Sequence, residues 1–318
     1  MPVRDSQTRQ AVNTVHFGEY HPPMPKEITV GLVQQLCTRD QEDNARRLEV
    51  AIREANARGA SLILLPELHN SVYFPQAEDA GGFDLAEPVP GPSTERFGKL
   101  AAELGAVLVI SLFEKRAPGL YHNTAVVLEK DGSIAGRYRK THIPDDPGFY
   151  EKFYFTPGDL GMHPVETSAG RLGVLVCWDQ WYPEAARLMA LAGAELLVYP
   201  TAIGYSPSEP EDERERQREA WITIQRSHAV ANGIPVASIN RTGFEPPLSP
   251  ERDGIHFWGN SFVAGPQGEI LAQASGDKDE VLVTEVDLGA TEAVRRGWPF
   301  LRDRRVDLYG DLLKRYRD

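Results

Sequence analysis

The chain has 318 residues, 41% hydrophobic and 25% charged, enough apolar material for one large α/β domain or two smaller ones. A net charge of −12 excludes a role built on neutralising nucleic-acid phosphates and suits small cationic partners. With two cysteines, no N-terminal secretory pattern and no long apolar span, the sequence predicts a cytoplasmic protein with neither a disulfide framework nor a membrane partner.

Residues 1–27 are polar and proline-bearing and are expected to form an N-terminal extension outside the core, with residues 28–318, tail included, as a single domain. Ile28 to Leu36 reads as a strand, with Cys37 at its end in a packing role. Gln41 to Arg58 has apolar positions at helical spacing, and Ser61 to Leu65 is a strand closed by Pro66 and a carboxylate, Glu67. The Tyr73 to Pro92 stretch reads as a long loop, a candidate lid or interface. Glu95 to Leu104 follows as a helix with Ser93 as its cap, then Ala106 to Phe113 as a strand. Tyr121 to Leu128 and Ile134 to Arg139 flank the turn Lys130-Asp131-Gly132-Ser133, so a hairpin is expected there, and its second strand runs into Lys140.

The apolar run Gly173 to Val176 delivers Cys177 to a strand-to-helix junction, because Pro183 to Leu191 reads as a helix with proline in its first turn. Leu196 to Tyr199 is a short strand. Glu211 to Asn232 is a long helix stopped by Gly233, and its charged start, EDERERQRE, is expected to be solvated. Ile234 to Asn240, Phe262 to Ala264, Ile270 to Gln273 and Val281 to Val286 complete the strands, with Gly243 to Gly259 as a second long loop. The tail from Trp298 to Tyr309, rich in aromatics and arginines, suits an intersubunit contact. Alternating strands and helices with inserted hairpins predict a layered α/β fold whose sheets are not purely parallel.

Three of these strands end in a reactive group: Glu67, Lys140 and Cys177. Open α/β sheets gather their sites beyond strand termini. A lone cysteine is more often a packing residue than a nucleophile, and a lone acid or lysine more often faces water. Together they supply a nucleophile, a base and a fixed cation. The chain has no HExxH, paired CxxC or glycine-rich phosphate loop, so neither a metal nor an organic cofactor is implied. His69 and His142 fall in loops, where a hydrogen-bonding role competes with that of a base for the thiol.

In these contexts the three residues resemble the catalytic triad of the nitrilase superfamily of carbon–nitrogen hydrolases. The resemblance runs from about Ile28 to about Leu312 and implies a single-domain α-β-β-α four-layer sandwich that pairs into a homodimer or a higher homo-oligomer. It assigns Cys177 as nucleophile, Glu67 as general base and acid, and Lys140 to the oxyanion. It also places the family's second, orienting glutamate at Glu151, within Tyr150-Glu151-Lys152-Phe153-Tyr154-Phe155-Thr156-Pro157-Gly158-Asp159. Three segments (138–159, 177–204 and 301–313) most resemble the branch that hydrolyses N-carbamoylputrescine. That branch implies a small cationic carbamoyl substrate and a place in polyamine biosynthesis. A distal ammonium calls for an acid and apolar walls: Asp145, Asp146, Asp179 and Glu184 are the candidate acids, and Tyr73, Tyr150, Trp178 and Trp181 the candidate walls. A β-ureidopropionase, an aliphatic amidase or a nitrilase would carry the same triad. An inactive scaffold on this fold is the reading from another class.

Overall fold

Side chains that alternate between two apolar surroundings build the first sheet. In β1 (Glu27–Gln34), β2 (Leu62–Leu64) and β3 (Val107–Ala117), residues Val30, Leu32, Leu62, Leu64, Val107 and Val109 enter one core. Val33, Ile63, Leu108 and Ile110 enter another, as the two-residue repeat of a strand requires. The hairpin of β4 (Leu120–Leu128) and β5 (Ile134–Arg139) continues this sheet. The computed structural model describes residues 26–248 and 253–317, so most of the expected 1–27 extension lies outside the described residues.

The remaining strands are β6 (Val165–Thr167), β7 (Gly170–Val174), β8 (Leu196–Pro200), β9 (Gly204–Tyr205) and β10 (Val236–Ile239). After them come β11 (Thr242–Glu245), β12 (Ile255–Trp258), β13 (Phe262–Ala264), β14 (Ile270–Gln273) and β15 (Glu280–Asp287). The helices are α1 (Gln41–Ala57), α2 (Pro92–Leu104), the single turn α3 (Glu151–Tyr154), α4 (Pro183–Leu191), α5 (Glu211–Asn232) and α6 (Ala290–Gly297).

Among the described residues two six-stranded sheets result, ordered β15-β1-β2-β3-β4-β5 and β14-β13-β10-β8-β7-β6. Each has a parallel centre, β1-β2-β3 in one and β10-β8-β7 in the other, with antiparallel neighbours outside. The inner faces share the core of Leu32, Leu64, Val109, Val127, Val174, Val198 and Ala237. Leu48 and Ile52 of α1 and Phe97 and Leu100 of α2 cover the outer face of the first sheet. Ala185, Met189 and Ala229 of α4 and α5 join the core at the second. The layers therefore run α-β-β-α. No helix among the described residues is long and apolar enough to cross a membrane.

Several expectations change. α2 starts at Pro92, not Glu95, because proline is pre-organised for the first helical position. Its cap is Gly91, whose N–H is taken by the Thr94 hydroxyl at 2.8 Å, and Ser93 lies inside the first turn. Much of the expected 243–259 loop is the β11–β12 hairpin, extended by β9 into a three-stranded sheet, while residues 249–252 lie outside the described residues. Strands this short show too little alternation to be read through the surrounding prolines. The 73–92 segment is packed: Phe74 stacks on Phe113 at 4.9 Å, and Phe83 lies against Tyr121 and Tyr154. The sequence reading did not include α6. Beyond it, Trp298, Val306, Leu308 and Leu312 of the tail are exposed.

Candidate active site

The C-terminal ends of β2, β5 and β7 meet at one edge of the sandwich. β5 runs in the same direction as β2 because two antiparallel steps separate it from β3. Just past β2, the Glu67 N–H donates to Thr201 O at 3.3 Å, and the Leu68 N–H to Ser111 Oγ at 3.1 Å. Leu68 has φ +49°, a left-handed conformation that a non-glycine residue keeps only when its surroundings enforce it. Arg241, fully buried, supplies that constraint: it donates to Glu67 O at 3.1 Å, to Ser71 O at 2.9 Å and to Leu68 O. Its charge is balanced by Glu245 at 2.7 Å, which also accepts the Tyr73 N–H at 2.6 Å.

Lys140 follows β5. Its N–H donates to Asn123 O at 2.8 Å, and its carbonyl accepts the Gly158 N–H at 2.8 Å. A Cβ at residue 158 would stand 2.0 Å from Arg139 O, so only glycine permits this approach. The Lys140 ammonium lies between two carboxylates, 2.8 Å from Glu67 Oε1 and 2.6 Å from Glu151 Oε2, all three side chains being buried. Glu151, opening α3, also accepts the Tyr73 hydroxyl on Oε1 at 2.5 Å, and Glu67 Oε1 accepts Asn123 Nδ2 at 2.6 Å. Glu67 Oε2 is buried with no hydrogen-bond partner.

Cys177 stands three residues beyond β7, in a 3-10 turn (Cys177–Trp181) that the sequence reading did not foresee ahead of α4. Its φ is +45°. Asp179 holds the turn: it accepts the Val176 N–H at 3.0 Å, the Tyr138 hydroxyl at 2.8 Å and the His142 N–H at 3.0 Å. Tyr138 and His142 flank Lys140, so this one carboxylate ties the lysine segment to the cysteine turn.

Burial opposes the Lys140 charge, but Glu151 and Glu67 outweigh it and hold the ammonium protonated. Burial pushes the Glu151 carboxyl up to about 7, with Lys140 drawing it down and Glu67 raising it again. Burial, then the Glu67 charge, raises the Cys177 thiol well above its ordinary value, with Lys140 partly opposing. The resting sulfur is a thiol. Cys37 is raised to about 12 by burial and donates to His69 O, a packing arrangement. Neither histidine serves the sulfur: His142 Nδ1 pairs with Asp179 at 2.7 Å, and His69, lowered to about 3 by burial, packs edge-on against Phe97.

A cavity of about 510 Å³ opens over Cys177 and Glu151, walled by Pro144, Phe149, Trp178, Trp181, Ala202, Ile203, Ala220 and Trp258, with Asp146, Glu209 and Gln217 as further polar lining. Of the candidate substrate contacts, Trp178, Trp181 and Asp146 line it. Asp179 does not: its oxygens are spent on the cysteine turn, and it is buried. Glu184 is exposed in the first turn of α4, and Asp145 is exposed outside the cavity. Tyr73 supports Glu151 from behind, and Tyr150 lies just before α3, outside the lining. The sequence reading missed Asn123, Arg241, Glu209, Gln217 and Trp258. A signal existed for Asn123, a polar residue in a buried strand. Glu209 had none, lying beside the charged run that opens α5. Gln217, inside that run, faces the cavity, so the helix start is not wholly solvated.

The chain is 45% identical over 289 residues to an N-carbamoylputrescine amidase of Oryza sativa subsp. japonica, covering 90% of this chain and 95% of that one. It is 38% identical to a citrullinase of Francisella tularensis subsp. tularensis, covering 91% of this chain and 99% of that one. The crystal structure of a carbon-nitrogen hydrolase from Helicobacter pylori G27 superposes with a TM-score of 0.89 at 53% identity, covering 92% and 100% of the two chains. The sequence profile of the Carbon-nitrogen hydrolase family matches residues 29–296, from β1 into α6, a span that holds both sheets and every strand end at the site. On that match and these identities, the chain belongs to the carbon-nitrogen hydrolase family of the nitrilase superfamily.

Proposed function

We propose that the protein hydrolyses N-carbamoylputrescine to putrescine, ammonia and carbon dioxide through a thioester on Cys177, as a step of polyamine biosynthesis from agmatine. The Oryza sativa relative named above supports the substrate. One observation carries the chemistry: Glu67 is a divided carboxylate, with Oε1 fixed by Lys140 and Asn123 and Oε2 buried and unpartnered. A thiol kept protonated needs such a base at the moment of attack.

In this reading Glu67 takes the thiol proton as the sulfur bonds to the ureido carbon. The Lys140 ammonium and the Trp178 N–H receive the negative charge that develops on oxygen, a class of interaction whose removal costs about 10²–10³ in turnover. Collapse of the intermediate breaks the bond to the terminal nitrogen, which leaves as ammonia with the proton Glu67 returns. The alkylcarbamoyl group stays on sulfur. Glu67 then removes a proton from water, which attacks the thioester carbon and regenerates the thiol. The released alkylcarbamic acid loses carbon dioxide and frees the amine. Glu151, held by the Tyr73 hydroxyl, keeps Lys140 in place. The active form is a cytoplasmic homodimer or higher homo-oligomer, for which the exposed tail offers apolar surface.

Ammonia release from N-carbamoylputrescine, N-carbamoyl-β-alanine, citrulline and a short aliphatic amide, with Cys177→Ala as blank, tests the reading. Cysteine-dependent turnover of the first above the others is expected. Preference for any other substrate overturns the assignment while keeping the nucleophile.

A further inference from the structure

Resting on the reading of a carbamoylated amine as substrate, we propose that Glu209 is the specificity residue that receives a lone alkylammonium at the far end of the substrate. Glu209 lies in the loop between β9 and α5 and lines the same cavity as Cys177. Its Oε1 accepts the Ser206 N–H at 3.0 Å, which fixes the carboxylate. Its Oε2 is buried and has no hydrogen-bond partner. A desolvated carboxylate oxygen without a donor is costly, and a donor brought in by the ligand removes that cost.

The ligand must bring the positive charge, because among the described residues no lysine or arginine lines the cavity. Arg214, five residues on, donates to Pro207 O and sits 4.6 Å over the Tyr205 ring. Asp146 adds negative potential to the cavity, but it is exposed and therefore screened by water. Trp178, Trp181, Ala202 and Ile203 supply apolar wall in the same cavity, suited to a methylene chain. A ureido amino acid, which carries a carboxylate beside its ammonium, would bring that carboxylate against Glu209 and Asp146 with no cation to receive it. The site therefore selects a carbamoyl group joined by an apolar chain to an ammonium, and rejects the zwitterion.

The experiment compares N-carbamoylputrescine with N-butylurea, which carries a hydrogen in place of the ammonium, and with citrulline, for the wild type, Glu209→Gln and Asp146→Asn. The wild type is expected to favour N-carbamoylputrescine over N-butylurea by on the order of 10² in kcat/KM, mostly through KM. Glu209→Gln brings that ratio close to one. Because each variant is judged by its own ratio, general damage to the fold lowers both rates and leaves the ratio intact. A ratio unchanged in Glu209→Gln, a ratio lost only in Asp146→Asn, or a wild type that prefers citrulline would each overturn the proposal. If no ureido compound is turned over, the reading under Proposed function fails by itself, and 6-aminohexanamide against hexanamide decides the role of Glu209. A preference for the ammonium that disappears in Glu209→Gln upholds it, and equal rates in the wild type refute it.

Discussion

Replacing Tyr73 by phenylalanine removes one oxygen from a fully buried side chain, and the consequence is calculable. That hydroxyl donates to Glu151 Oε1 at 2.5 Å, and a hydrogen bond to a charged group contributes about 1.5–3 kcal/mol. Burial already lifts the Glu151 carboxyl to about 7, while Lys140 and the Tyr73 hydroxyl hold it down. Loss of the hydroxyl favours the protonated carboxyl further. At about 1.36 kcal/mol per pH unit, the acid limb of the kcat/KM profile moves to higher pH by about one to two units. Below that limb Glu151 offers no charge to the ammonium 2.6 Å away, so the variant loses most activity on the acid side and recovers toward alkaline pH. Ammonia release measured from about pH 5.5 to pH 9 reads this directly. A uniform fall in rate with the acid limb unmoved would refute the link from Tyr73 through the Glu151 charge to Lys140.

Two further substitutions test the supports of the site. Glu67→Gln keeps an oxygen for Lys140 and Asn123 but removes the base, so turnover should fall about 10²–10⁴-fold. The Cys177 thiol should meanwhile become more acidic, because the negative charge that raises it most is gone and Lys140 remains; thiolate absorbance against pH checks this, and an unchanged titration would show that Glu67 does not act on the sulfur. Arg241→Met leaves Glu245 buried without its cationic partner and removes the guanidinium donors from the Glu67, Leu68 and Ser71 carbonyls, and should destabilise the fold by about 3–5 kcal/mol in urea unfolding. Adding Glu245→Gln should restore part of that loss. An unshifted midpoint in the single variant would remove Arg241 from the support of the Glu67 turn.

The strand ends that carry Glu67, Lys140 and Cys177 were legible because each is a local pattern: a strand-like run that closes on a reactive residue, through Pro66 for Glu67, through Arg139 for Lys140 and directly for Cys177. The long α5 was equally plain, since Gly233 takes the left-handed conformation that stops a helix. The second glutamate came from resemblance, because nothing in its own segment sets Glu151 apart. The short β9, β11 and β12 escaped notice because two to four residues hold barely one cycle of alternation.

Hydropathy periodicity encodes which face of an element is buried, and therefore the sequence alone determined that the fold is layered α/β and which residues stand at strand ends, while the order of the layers came from the family resemblance. It carries no record of which polar atoms meet after the layers close. Only the tertiary structure decided that Arg241 grips the Glu67 turn from 174 positions away, that Asp179 braces the cysteine turn and leaves substrate binding to others, and that Glu209 holds an unpaired oxygen in the cavity. Such pairings depend on hydrogen-bond distances of about 3 Å between remote segments, which local spacing does not constrain.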